Sequence, residues 1–337
     1  MHPFEAPQTD PELLKRPIKE LGLRIEGSPI EKYVLRLYKE LERKGLRHFK
    51  PKCYLTDEWG CPDQEPVIGI PFYLADHKLA DLEKSMNDLE DEREIMMYLR
   101  HEAGHAFNYA YELFKTEDWK TLFGPFRRPY RDRYRPVPFS RRYVRHMAGW
   151  YAQKHPDEDF AETFAVWLTP RSKWREKYKG WGALHKLRYV DRIARKYGDV
   201  PPIKGLGETD VTVDEMEVTL EDFYRETTPD ESQAIADLAL DTDLTDIFVK
   251  AGRRRVGVRP AAELLAERRK EIVDKVTYWT GVRRPLVRQL ISCMEERVRA
   301  LNLVALQERE ASHVVEVTAY ATTLAMNYLT RGRFIQH

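Results

Sequence analysis

Ile95-Met96-Met97-Tyr98-Leu99-Arg100-His101-Glu102-Ala103-Gly104-His105-Ala106-Phe107-Asn108-Tyr109-Ala110 is the most informative stretch of this chain. Its apolar residues flank a His-Glu-x-x-His core, and no proline interrupts it. The stretch predicts one long, largely buried helix over residues 87–114. Positions i and i+4 lie on one face of a helix, so His101 and His105 can point at a single metal ion. Glu102 then stands beside them, placed to take a proton from a water that a zinc ion has made acidic. Gly104 costs a helix about 1 kcal/mol relative to Ala. Its presence makes sense if another segment packs close to the site.

Zinc of this type needs a third protein ligand and an open fourth position. The best source downstream is Pro156-Asp157-Glu158-Asp159-Phe160-Ala161-Glu162-Thr163-Phe164-Ala165-Val166-Trp167-Leu168. Pro at the first turn and acids crowding the start predict a helix. Glu158 and Glu162 are four apart and share a face, suiting a metal ligand and a carboxylate that orients a His ring. Glu158 is favoured as the ligand, and Glu162 is the partner or the alternative ligand.

With these motifs in place, the chain resembles a bacterial family of zinc-binding metallopeptidases of gluzincin type, in which a downstream Glu is the third ligand. The matching segments are Asp57-Glu58-Trp59, Ile70-Pro71-Phe72-Tyr73-Leu74, the His101–His105 motif and residues 157–168. Together they span roughly the first 170 residues. The frame Glu158-Asp159-Phe160-Ala161 fits the family's Glu-x-Phe-Ala. The resemblance implies an α+β, zincin-like core with an active-site helix, a small sheet and an edge strand. It implies His101, His105 and Glu158 as ligands of one Zn2+ ion and Glu102 as general base. The activity implied is hydrolysis of a peptide or amide bond in a peptide or protein substrate. In this frame residues 67–73 are the edge strand that pairs with an extended peptide. The competing reading is a non-catalytic, zinc-containing binding or scaffold protein. An oxyanion donor is also needed, and Tyr143, His146 and Tyr151 are the candidates.

Working outward, residues 123–140 hold four prolines, which excludes a helix there. Eight arginines and one acid lie between Arg127 and Arg145. Three readings stand for them: pairing with an acidic segment of the same chain, contact with a substrate carboxylate, and binding of nucleic acid. The first is favoured, because residues 208–246 carry 14 acids against one base.

Helices are also expected from Ser28-Pro29 to Gly45 and over residues 183–197, 261–279, 285–303 and 311–329. The Pro201-Pro202-Ile203-Lys204-Gly205 turn divides the chain into residues 1–204, the zincin-like metallopeptidase domain, and residues 205–337, a mostly helical domain with an acidic start.

The whole chain has 337 residues, 56 Lys+Arg against 55 Asp+Glu, and a mean hydropathy of −0.62. The balance argues against a dedicated nucleic-acid binder, and no run is apolar enough to span a membrane. The first thirty residues carry prolines and acids where a secretory signal needs an apolar run, so a cytoplasmic location is expected. Cys53, Cys61 and Cys293 make neither a disulfide framework nor a second zinc site.

Overall fold

The computed structural model describes residues 11–86, 89–131, 134–137, 139–227, 235, 238–252, 257–282 and 284–331. Arg133, Pro138, several acids of the 208–246 segment and the expected helix start at Asn87 lie outside them. The chain is α+β and forms two compact units, Met1–Thr228 and Pro229–His337.

The first unit is built on α1 (Glu31–Arg43), β1 (Lys52–Thr56), β2 (Val67–Pro71), α2 (His77–Met86), α3 (Glu92–Ala110), α4 (Glu117–Phe123), α5 (Pro156–Leu168), α6 (Ala183–Tyr197) and α7 (Leu220–Thr227). The helix carrying the His pair starts later than its composition predicts. Asp91 caps it, accepting from the Arg93 and Glu94 amides, while the Glu94 carboxylate reaches back to the Asp91 amide. This reciprocal box satisfies amides that a helix start otherwise leaves open.

Helices α3 and α5 form the centre of the unit. Phe107 and Phe164 stack between them with ring centroids 5.1 Å apart. Phe160, Phe164, Leu99, Ala103 and Phe107 are fully buried there, and full burial of a large apolar side chain contributes about 1.5–3 kcal/mol. Every residue of α5 is buried, its acids included.

The sheet of this unit has two parallel strands, with Lys52 opposite Val67 and Leu55 opposite Ile70. Within this sheet β2 is an edge strand over Val67–Pro71, and the chain leaves it at Phe72. All five residues of β2 are buried. The Gly69 amide and carbonyl, which face away from β1, are bonded to Gly60 at 2.7 and 3.3 Å. Gly60 thus covers the far side of β2 at Gly69 through a single bridge.

The units part further along than the Pro201-Pro202 turn, because the chain beyond it still packs on the first unit. The Lys204 amide donates to the Ala110 carbonyl, Lys204 Nζ reaches Glu65, and Thr56 Oγ1 donates to the Val211 carbonyl. Leu220 and Tyr224 belong to the first core.

The second unit contains α8 (Asp241–Ile247), β3 (Val249–Lys250), β4 (Val258–Pro260), α9 (Ala261–Thr280), α10 (Arg284–Ala300), β5 (Leu303–Leu306) and α11 (Glu310–Arg331). Its three long helices bury Leu264, Ile272, Leu290, Met294, Val317 and Leu324. An antiparallel sheet in the order β3-β5-β4 accompanies them. The helix expected to reach residue 303 stops at Ala300, and Leu303–Leu306 form the central strand of this sheet.

Candidate metal centre

Two helices supply the polar cluster at the centre of the first unit. From α3, His101 and His105 project one turn apart, their Nε2 atoms 3.1 Å from each other. From α5, Glu158 Oε2 lies 3.0 Å from His101 Nε2 and 3.3 Å from His105 Nε2. The other nitrogen of each ring is engaged by a carboxylate. His101 Nδ1 is 3.0 Å from Glu162 Oε1, and His105 Nδ1 is 2.7 Å from Asp157 Oδ2.

These contacts decide what the cluster can hold. In a neutral ring only one nitrogen carries the proton; with it on Nδ1, donated to Glu162 or Asp157, each ring offers its Nε2 lone pair to a cation. In that state two lone pairs and a carboxylate oxygen converge with no donor among them, an arrangement that suits a bound cation. Ligands about 2.0–2.1 Å from a tetrahedral zinc lie about 3.3 Å apart, close to the observed spacings. His101, His105 and Glu158 form a buried group that could hold a metal ion, and its nitrogen and oxygen donors suit zinc.

The electrostatics agree. Burial alone would keep His101 neutral, but its bonds to Glu158 and Glu162 outweigh burial and raise its pKa to about 10. His105 rises in the same direction: Asp157 and Glu158 overcome the cost of its burial. Burial would raise the Glu158 carboxyl, yet the two rings hold it well below the usual range. The acids around the ring pair thus strongly favour positive charge at this point, as a proton or as a metal ion.

The supporting shell is dense. Asp157 also accepts from Asn108 Nδ2 at 2.7 Å and from the Tyr109 hydroxyl at 2.5 Å. Glu162 accepts the Met147 amide at 2.9 Å on its second oxygen. His155 caps α5, its Nδ1 accepting the Asp157 amide while Nε2 donates to the Arg128 carbonyl at 2.8 Å. Behind α3, Arg100 makes a two-pronged buried pair with Glu40 at 2.7 and 2.8 Å.

Gly104 faces α5. A Cβ there would stand 2.7 Å from the Ala161 Cα and 2.9 Å from its carbonyl oxygen. The close-packing segment is therefore the second ligand-bearing helix itself.

The centre opens into a cavity of about 1360 Å³ whose wall includes His101, Glu102, His105 and Glu158. Burial raises the Glu102 carboxyl above its ordinary range, with the two rings acting against it. Of the oxyanion candidates, only Tyr151 lines this cavity, its ring 5.7 Å from that of His101. Tyr143 packs beneath Lys186, whose Nζ lies 4.4 Å from the ring centre. His146 is committed to the Met97 carbonyl through Nε2 at 3.0 Å. Neither belongs to the cavity wall.

Sequence reasoning missed Asp157, whose sign was its place in the acid-rich first turn of α5. It also missed Tyr130, whose hydroxyl donates to Glu158 Oε1 at 2.5 Å and lies 3.3 Å from the Tyr151 hydroxyl. Burial, with Glu158 nearby, pushes both phenols above their usual range, so both stay protonated donors.

Among the described residues, no acid of the 208–246 segment forms an ion pair with an arginine of the loop 127–145. Among the described residues of the first unit, acids of the 208–246 segment pair elsewhere: Asp214 with Arg24, Glu217 with Lys19, and Glu221 and Asp222 with Arg225.

An α+β chain with a buried His-His-Glu group open to a cavity defines a candidate metalloprotein of the zinc type. Residues 64–179, which include the whole cluster, match the profile of a family described as "Putative zinc-binding metallo-peptidase". Comparison with curated proteins and with solved structures gives no match. No helix among the described residues is long and apolar enough to cross a membrane.

Proposed function

We propose that this protein is a zinc-dependent metallopeptidase of the gluzincin type, with a zincin-like core. The observation that carries the reading is the convergence of His101 Nε2, His105 Nε2 and Glu158 Oε2 on one point in a cavity wall, each ring held by a carboxylate on its far side. A structural zinc is closed by four protein ligands. Among the described residues this cluster brings three to the point, which supports a catalytic site over a scaffold role.

His101, His105 and Glu158 would hold the ion. When bound, zinc supplies a Lewis acid that makes an attacking water acidic near neutral pH and polarises the substrate carbonyl. Glu162 and Asp157 keep the rings in the tautomer that offers Nε2. Glu102, buried beside the rings, takes the proton from the attacking water and returns it to the departing amine. Its raised pKa suits a group that must first accept and then release that proton. The Tyr151 hydroxyl, with Tyr130 next to it, is the donor to the oxyanion that develops on the substrate.

The test is Glu102→Gln, assayed for zinc content and for hydrolysis of a mixed peptide library. The reading expects zinc to stay and hydrolysis to fall by a factor of at least about 100. Undiminished hydrolysis by the variant removes Glu102 from the role of base.

A further inference from the structure

We propose that Arg127 and Arg128 form a subsite that recognises a carboxylate of the substrate within the cavity of the metal centre. The inference rests on the peptidase reading and adds a substrate class to it.

Both arginines belong to the cavity wall that also contains His101, His105 and Glu158. At about 1360 Å³ the cavity exceeds the roughly 300–1,000 Å³ typical of small-molecule sites, leaving room for several residues of a peptide. Both residues are exposed. Neither forms an ion pair with a carboxylate among the described residues, in contrast to two lysines of the same wall. Lys115 is held by Glu112 at 2.6 Å and Lys120 by Glu117 at 2.7 Å. Of the acidic segment 208–246, Asp214, Glu217, Glu221 and Asp222 pair with other bases.

The pair is also anchored relative to the chemistry. The Arg128 carbonyl accepts from His155 Nε2 at 2.8 Å, and His155 is the cap of the helix bearing Glu158. Two residues on, the Tyr130 hydroxyl is bonded to Glu158 itself. A guanidinium carried on such an anchor can meet a carboxylate with two parallel hydrogen bonds. The shared chemistry is a carboxylate, supplied by an Asp or Glu side chain or by the free end of a peptide.

The test uses the full chain and three peptides of otherwise identical sequence. One carries Glu near the scissile bond and an amidated end, one carries Gln with an amidated end, and one carries Gln with a free C-terminal carboxylate. Binding of labelled peptides is read by anisotropy on the zinc-loaded Glu102→Gln protein, so that the result does not depend on turnover. KM is read on the parent.

The proposal expects at least one carboxylate-bearing peptide to bind about tenfold more tightly than the amidated Gln peptide. It also expects that advantage to collapse toward one in Arg127→Gln/Arg128→Gln, with the thermal midpoint of the variant unchanged. A gain for the Glu peptide identifies side-chain recognition, and a gain for the free-ended peptide identifies terminus recognition. Equal binding of all three, or an advantage that survives in the double variant, overturns the subsite. Loss of hydrolysis across all peptides with the binding preference intact would instead count against the peptidase reading and leave the subsite standing.

Discussion

Gly104 on the His-bearing helix lies directly against Ala161 on the Glu-bearing helix, so close that a Cβ on Gly104 would sit 2.7 Å from the Ala161 Cα. This contact sets how near the two ligand sources come. One side of it carries His101 and His105, the other Glu158 and Glu162, each within a turn or so of the contact.

Gly104→Ala therefore pits two effects against each other. Ala favours a helix by about 1 kcal/mol over Gly, while forcing a methyl against backbone that cannot give way typically costs about 1–3 kcal/mol. Because the obstacle is main chain, the clash should win. We expect a lower thermal midpoint and weaker zinc retention. A variant more stable than the parent, with full zinc, would contradict the contact.

Asp157→Asn and Glu162→Gln each replace the carboxylate that receives a ring Nδ1 proton. Loss of such a partner typically lowers metal affinity about 10–100-fold. Asp157→Asn should cost more, because Asn108 and Tyr109 also converge on that carboxylate. Competition with a chromophoric chelator measures both affinities. Parent-like values for both variants would remove the carboxylates from the site.

What could be seen beforehand was local. The four-residue spacings within 101–105 and 158–162 follow from helix geometry, so the cluster's halves were visible without a fold. The remainder depended on tertiary contact. Tyr130 reaches Glu158 across a proline-rich loop whose path has no periodicity. Tyr143 and His146 stand near the motif in sequence, yet Lys186 and the Met97 carbonyl claim them. Val67-Ile68-Gly69-Ile70-Pro71 reads as a strand, but no pattern in it announces that Gly60 covers its far side. Strands of two to four residues in the second unit, β3 to β5, are too short to stand out from helical neighbours.

Without metal, the centre should be least stable in alkali. The pKa of His101 in the folded chain is raised to about 10, above the ordinary value of about 6.5. The stabilisation from its proton is thus full below about pH 6.5 and lost as pH rises through about 10. His105 moves in the same direction. Chelator-treated protein should lose thermal midpoint between pH 7 and pH 10. Zinc must displace those protons, so its affinity should fall as pH drops from 8 to 6. A pH-independent zinc affinity would contradict this account.

Glu40→Ala would leave Arg100 buried without its carboxylate, directly before His101. Breaking a buried pair from one side costs about 3–5 kcal/mol. Urea unfolding should show a loss of that order. A loss under about 1 kcal/mol would mean that the pair is not buried as described.

The most direct check of the central claim is the zinc content of the full chain, purified without chelators, beside that of Glu158→Ala. We expect about one ion per chain in the parent and less than half of that in the variant. Trace zinc in the parent, or the same content in both, would contradict the account.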